Sequence, residues 1–383
     1  MNHPWLLPEY VEDILPPYAR QAESLRRQLL DMYDSYGYEL VCPPLIEYLD
    51  SLLTGAAGDL DLKTFKVVDG LSGRMMGIRA DMTPQAARID AHLLNRQSVT
   101  RLCYAGPVLH AKPDGLMSSR EPYQVGAELF GHAGIEADRE ILELLLASLA
   151  ATKLSDVRVS LGHVGLFRVL AAAAGVDGEI GHPLFRALRA KDMPALLDLT
   201  EGMAEPWRGA FLRLPELYGG AEVIETARLA LPDLPGVRQA LDDLAGLLSA
   251  SAKANLSVDL ADLRGYGYHT GVVFAAYVGG QASAVALGGR YDGAGAVFGR
   301  SRPATGFSLD LRRILGSLPE PVLRAGILAV QDSSSELATK VAELRSAGER
   351  VVVEFSGQAS LPAETGCDRK LARVAGSWQV VPL

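Results

Sequence analysis

The stretch from Asp262 to Arg290 gathers the side chains best suited to hold a small, partly anionic molecule. Asp262-Leu263-Arg264-Gly265-Tyr266-Gly267-Tyr268-His269-Thr270-Gly271 sets an arginine among glycines and aromatics, and Leu287-Gly288-Gly289-Arg290 follows as a Gly-Gly-Arg turn. Glycine lets backbone come close to a ligand. Tyrosine gives a flat wall with a polar tip, and the arginine fork matches a carboxylate or a phosphate. The same residues also describe a Gly-rich hairpin with an ordinary arginine, and on this stretch alone both readings stand. A second candidate is the alternating run from Arg120 to Leu129. Tyr123, Val125, Ala127 and Leu129 point one way, and Arg120, Gln124, Gly126 and Glu128 the other. That polar face either meets water or lines a site.

Several familiar chemistries are not encoded. Gly265-x-Gly267 with Gly271 misses the dinucleotide fingerprint, because the last glycine comes one place late and a strand follows where a helix is needed. No Gly-x-x-x-x-Gly-Lys loop and no Gly-x-Ser-x-Gly elbow occurs. Cys42, Cys103 and Cys367 are far apart, and the seven histidines form no metal-ligand spacing with them. A reduced, cytoplasmic protein without a metal or other cofactor is the simplest expectation. The net charge of −9 disfavours bulk attraction to nucleic acid. The N-terminal residues show no basic segment followed by an apolar one and no apolar run reaches membrane-spanning length, so neither a signal peptide nor a membrane partner is expected.

The elements that must position these residues follow in order. Ala22, Leu25, Leu29, Met32, Tyr33 and Tyr36 recur at helical spacing up to Gly37. Strands are expected at Glu39–Cys42, Arg74–Arg79 and Thr100–Leu109. Thr83-Pro84 starts a helix to about Leu94, with threonine as cap and proline in the first turn. His110–Ser119 reads as a loop, Glu136–Ala151 as a helix and Val157–Leu161 as a strand. Residues 183–248 read as all-helical, broken at Pro194, Pro215, Pro232 and Pro235. Strands return at Leu256–Leu260, and Val272–Tyr277 pairs with Ala282–Ala286. Gly306–Leu315 turns into a helix. Beyond Leu318-Pro319-Glu320-Pro321 come a strand (Ala325–Val330), a helix (Ser335–Ala347), a strand (Arg350–Phe355), a loop, and a strand pair (Leu371–Val374, Gln379–Val381).

Three stretches then resemble the signature motifs of class II aminoacyl-tRNA synthetases: Pro44-Leu45-Ile46-Glu47; Gly106-Pro107-Val108-Leu109 through Gln124-Val125-Gly126-Ala127-Glu128-Leu129-Phe130-Gly131; and Gly306-Phe307-Ser308-Leu309-Asp310-Leu311-Arg312-Arg313. Ile78-Arg79-Ala80-Asp81-Met82-Thr83-Pro84, Leu263-Arg264-Gly265-x-x-Tyr268 and Gly288-Gly289-Arg290-Tyr291-Asp292-Gly293 narrow the likeness to the histidyl type. The resemblance implies an α+β fold: an antiparallel sheet flanked by helices over residues 1–315, a helical insertion at about 183–250, and a small α/β domain at 316–383. It implies a homodimer through the first motif. It also assigns Asp81, Thr83, Gln124, Glu128, Arg264 and Tyr268 to a histidine pocket.

The departures from the synthetase pattern concern ATP. Where the second motif carries Phe-Arg-x-Glu, this chain reads Leu109-His110-Ala111-Lys112. An imidazole replaces a permanent cation, and a cation replaces an acceptor carboxylate. In the third motif, Asp310 and Arg312 stand for glycine and glutamate beside Arg313, which sets a negative charge near the expected triphosphate. Adenylation needs preorganised positive charge at the transferring phosphate, so no catalytic residues are expected. The motifs are similar instead to the synthetase paralogues that act as regulatory subunits of ATP phosphoribosyltransferase. That likeness implies a role in the first step of histidine biosynthesis, a short-form catalytic subunit as partner in a hetero-oligomer, L-histidine as ligand and feedback signal, and no tRNA. The C-terminal segment looks like a shrunken anticodon-binding domain with few clustered basic or exposed aromatic residues to read RNA. An active histidyl-tRNA synthetase, and an amino-acid-binding protein with another partner, are the alternative readings.

Overall fold

The computed structural model describes residues 5–54, 58–115, 118–176, 178–251, 254–293, 295–322, 324–355 and 362–383. Residues 1–4, part of the N-terminal segment read for a signal, lie outside the described residues, as do 116–117 of the expected loop and 356–361 of the loop after Phe355. The chain divides into two compact units, one running to Ile14 and from Ala19 to Leu318, the other comprising Leu15–Tyr18 and Pro319–Leu383.

The first unit is built on a nine-stranded sheet. In chain order its strands are β1 (Glu39–Leu40), β2 (Thr100–Pro107), β3 (Tyr123–Phe130), β4 (Val157–His163), β5 (Tyr218–Gly219), β6 (Leu256–Asp259), β7 (Val272–Val278), β8 (Ala286–Arg290) and β9 (Ala304–Asp310). They lie in the order β1-β2-β3-β9-β8-β7-β4-β6-β5. The six central strands, β2 to β4, pair antiparallel throughout. The alternation read in β3 explains its place. Val125, Ala127 and Leu129 enter the main core with Leu142 and Leu145 of the helix Ile135–Thr152 and with Leu25, Leu29 and Tyr33 of the helix Tyr18–Ser35. Gln124 and Glu128 point to the opposite face, where Met82, Leu102, Tyr104, Phe130 and Tyr291 form a smaller cluster.

Several expectations shift. The partner of β7 is Ala286–Arg290 rather than Ala282–Ala286, with Phe274 opposite Gly288. The Gly-Gly-Arg segment is therefore strand, not turn; it is hydrogen-bonded on both sides, and sheet pairing overrides the turn preference of glycine. Ala304–Asp310 is also strand before the short helix Leu311–Leu315. The helix starting at Thr83 runs to Arg88 and widens into π-type turns over Ile89–Leu94, ending at Asn95 in a left-handed conformation. Thr83 is not its cap: Asp81 Oδ1 accepts from the Thr83 amide at 3.1 Å, and the threonine hydroxyl faces the pocket side. The insertion is helical except for β5, and helices already begin at Val164 and Gly178. The sequence gives no alternation in Phe65–Val68, which forms a three-stranded sheet with Ile46–Tyr48 and Met75–Ile78. No helix among the described residues is long and apolar enough to cross a membrane.

In the second unit, Gly326–Ala329 lies between Val351–Val353 and Cys367–Val374, both parallel to it, and Ser377–Pro382 closes the sheet antiparallel. Ile327, Ala329, Leu337, Val341, Val351 and Leu371 form its core.

Candidate functional site

The strand register brings the chemistry of the first unit to one place. Across β3 and β9, Glu128 is opposite Gly306, and across β2 and β3 Tyr104 is opposite Gly126. A side chain at 126 would collide with the Tyr104 ring, since an ideal Cβ there lies 2.6 Å from it. Glycine thus lets Tyr104 lie across the strand and reach Glu128 Oε1 at 2.8 Å. From the other side the Tyr291 hydroxyl donates to Glu128 Oε2 at 2.5 Å. The ring of Tyr291 stacks on Tyr268 with centroids 5.0 Å apart.

Glu128, Tyr268 and Tyr291 line a cavity of about 250 Å³ together with Asp81, Thr83, Gln124, His269 and the backbone of Gly288, Gly289 and Gly306, with Tyr104 behind the wall on Glu128. Gln124 is fixed in orientation: its Oε1 accepts from the Met82 amide at 2.9 Å, and its Nε2 donates to Asp81 Oδ1 at 3.1 Å. Thr83 Oγ1 lies 3.1 Å from the Tyr104 hydroxyl. The pocket wall is therefore a connected network running from Asp81 through Gln124, and from Thr83 through Tyr104 to Glu128 and Tyr291.

The electrostatics follow from burial. Glu128 is 1% exposed, and loss of water pushes its carboxyl up to about 8, against the lowering effect of the two tyrosine hydroxyls. Burial pushes His269 down to about 4, so its ring is neutral near pH 7. Burial also raises the hydroxyls of Tyr104, Tyr268 and Tyr291 well above their usual range. The Tyr268 hydroxyl is buried and makes no hydrogen bond among the described residues. A buried polar group without a partner costs about 1–3 kcal/mol, so a bound polar molecule that met this hydroxyl would recover part of that cost.

Five of the six expected residues, Asp81, Thr83, Gln124, Glu128 and Tyr268, line this one cavity. Arg264 does not join them. Its Nε donates to Asp262 Oδ1 at 2.8 Å, its Nη2 pairs with Asp262 Oδ2, and its Nη1 meets the Tyr277 hydroxyl. A carboxylate two residues away in sequence holds the fork in this structure. Arg290, in the same opening stretch, is also committed. Its guanidinium binds Asp138 at 2.7 Å and 2.9 Å, Asp292 at 3.1 Å and the carbonyl of Gly134 at 3.0 Å. Tyr104, Tyr291 and His269 belong to the site although the sequence did not single them out for it. Tyr291 stands in the Gly-Gly-Arg-Tyr-Asp-Gly motif, and Tyr104 lies at the even spacing from Leu102 that turns it away from Cys103.

The positions expected to handle ATP are occupied otherwise. His110 is buried with Nε2 3.0 Å from the carbonyl of Ala80, and Lys112 is exposed. Asp310 caps its helix, accepting from the Arg312 and Arg313 amides at 3.1 Å and 3.4 Å. Arg312 pairs with Glu121 at 2.8 Å, and Arg313 binds the carbonyl of Ala284 and Ser118 Oγ. A cluster of free cations for a triphosphate is absent among these residues.

An antiparallel six-stranded centre with this pocket on one face defines a class II synthetase-like core of the histidyl type. Comparison agrees: the family model of histidyl-tRNA synthetase matches residues 10–314, and that of the ATP phosphoribosyltransferase subunit HisZ C-terminal domain matches residues 324–381. An ATP phosphoribosyltransferase regulatory subunit of Cupriavidus taiwanensis is 55% identical over 382 residues, covering 100% of both chains. The crystal structure of an ATP phosphoribosyltransferase regulatory subunit/histidyl-tRNA synthetase from Bacillus halodurans superposes with a TM-score of 0.85 at 26% identity, over 96% of this chain and 97% of that one. A histidyl-tRNA synthetase from a Nostoc species shares the fold, with a TM-score of 0.80 at 18% identity over 99% and 97% of the two chains. The chain belongs to the ATP phosphoribosyltransferase regulatory subunit family, the family that the departures in the second and third motifs imply.

Proposed function

We propose that this chain acts as the non-catalytic regulatory subunit of ATP phosphoribosyltransferase in histidine biosynthesis, assembled with a separate short-form catalytic chain in the cytoplasm, and that its pocket binds L-histidine. The observation that carries the ligand reading is the buried Glu128, held between the hydroxyls of Tyr104 and Tyr291 and facing a cavity with an unpartnered Tyr268 hydroxyl. The Asp81 carboxylate suits the ammonium of histidine, the buried Glu128 carboxyl suits its imidazole as a hydrogen-bond partner, and the aromatic walls of Tyr268 and Tyr291 suit a flat ring. The occupied states of His110, Asp310 and Arg313 support loss of adenylation while amino acid binding remains.

Regulation then follows from linkage. A subunit that favours the active state of its partner raises activity, and a ligand that favours the inactive state lowers it. Exposed Ile46, Tyr48 and Val68 on the three-stranded sheet, with Leu45 just before it, support pairing of two copies through the first motif. The C-terminal unit is proposed as a packing domain without an RNA-reading role. Two measurements on the isolated chain test this reading: calorimetry detects L-histidine binding, and pyrophosphate exchange with histidine and ATP shows no turnover. Turnover overturns the non-catalytic assignment; absence of binding overturns the pocket assignment.

A further inference from the structure

The pocket has an unexplained asymmetry of charge, and it bears on the carboxylate of an amino acid ligand. This inference rests on the reading of the cavity as a histidine pocket. The described lining carries acidic side chains at Asp81, Asp114 and Glu128, of which Glu128 is the buried one. The arginines near it are committed elsewhere. Arg264 is held by Asp262 and Tyr277. Arg79 donates to the carbonyls of Pro43 and Pro107, and Arg120 to the carbonyl of His110. Among the described lining residues Lys63 is the one permanently cationic side chain.

Lys63 is placed for use. Its carbonyl accepts from the Ala111 amide at 2.7 Å, so its backbone is tied to the loop that follows His110. Its ammonium lies 2.7 Å from Asp114 Oδ1, and His110 Nδ1 lies 3.6 Å from the other oxygen of the same carboxylate. The Lys63 and Asp114 side chains are 37% and 42% exposed, so this is a solvated pair of small net worth, easily exchanged for another partner. An ammonium is also a compact charge on a flexible stem, able to turn toward a new anion.

We infer that Lys63 recognises the carboxylate of the bound amino acid, with Asp114 as the partner it leaves when the ligand enters. The site thus selects amino acids over the corresponding amines and amino alcohols by a residue outside the strands that carry the rest of the pocket. Asp114 competes with the ligand for Lys63 and weakens binding.

Calorimetry on the full chain with L-histidine and with L-histidinol, which replaces the carboxylate by a hydroxymethyl group, tests this. Lys63→Met is expected to weaken L-histidine at least tenfold and to change L-histidinol less than twofold. Asp114→Asn is expected to tighten L-histidine about threefold or more. Equal weakening of both ligands by Lys63→Met, or no weakening of either, overturns the assignment. Wild-type chain that binds neither ligand overturns the histidine reading of the pocket instead, and the assignment with it. Lys63→Met keeps the aliphatic stem and the backbone hydrogen bond, and an unchanged melting temperature separates lost recognition from lost folding.

Discussion

The Glu128 carboxylate fills the space that a side chain on Gly306 would need. The two residues are partners across β3 and β9, and an ideal Cβ on Gly306 falls 1.7 Å from Glu128 Oε2. The glycine at the head of the third motif is thereby explained by the acid it makes room for. Gly306→Ala is expected to destabilise the chain by about 1–3 kcal/mol through overpacking and to abolish ligand binding at accessible concentrations. Urea unfolding and calorimetry check both. An alanine variant with unchanged stability and affinity contradicts the close packing of this pair.

Glu128 also sets a pH dependence. Its folded-state carboxyl stands at about 8, above the ordinary value of 4.5, because burial disfavours the charge. Between those values the folded state holds a proton that the unfolded state has released, so this group makes stability fall as pH rises from about 4.5 to about 8, with no further change above. The slope from one proton is at most ~1.4 kcal/mol per pH unit. Glu128→Gln is expected to remove this component in urea titrations at several pH values, and to weaken L-histidine at least tenfold, about 1.4 kcal/mol.

Tyr268 separates binding from stability. Its hydroxyl is buried without a hydrogen-bond partner among the described residues, so Tyr268→Phe is expected to leave the ligand-free melting temperature unchanged or slightly raised. The same change is expected to weaken L-histidine by about five- to tenfold, the worth of one hydrogen bond of ~1–1.5 kcal/mol. A loss of stability without a loss of affinity would place the hydroxyl outside the ligand site.

The two arginines of the Asp262–Arg290 stretch are expected to behave differently from each other. Arg290 is buried and paired with Asp138, itself buried. Arg290→Ala strands that carboxylate and is expected to cost about 3–5 kcal/mol of stability. Arg264 is half-buried on Asp262 and Tyr277. Arg264→Ala is expected to change L-histidine affinity less than about threefold, because its fork is already engaged. Thermal unfolding and calorimetry of the two variants check this contrast.

The candidate pocket was legible in part through strand periodicity and in larger part through the resemblance to histidyl-type motifs. Gln124 and Glu128 share a face by the two-residue repeat, and Asp81 with Thr83 stands at a helix start beside Pro84. Three things were not legible. Arg264 is captured by Asp262, two residues back, a local competition that residue type does not reveal. Gly288-Gly289-Arg290 reads as a turn by composition and becomes strand only because β7 and β9 pair with both its edges. Lys63 reaches the cavity by tertiary contacts between segments far apart in the chain, and no local pattern marks it; strand alternation turns Tyr104 to the pocket face, but its bond to Glu128 depends on the pairing of two strands.

The central claim is that this chain regulates a separate catalytic subunit through an amino acid pocket that no longer serves adenylation. Reconstitution with the short-form catalytic chain tests it most directly, with the phosphoribosyl transfer rate measured alone, with this chain, and with this chain plus L-histidine. The account predicts a rate at least tenfold higher when this chain is added, and suppression by histidine that is lost in the Glu128→Gln complex. A rate unaffected by this chain, or histidine suppression of equal strength with Glu128→Gln, would contradict it.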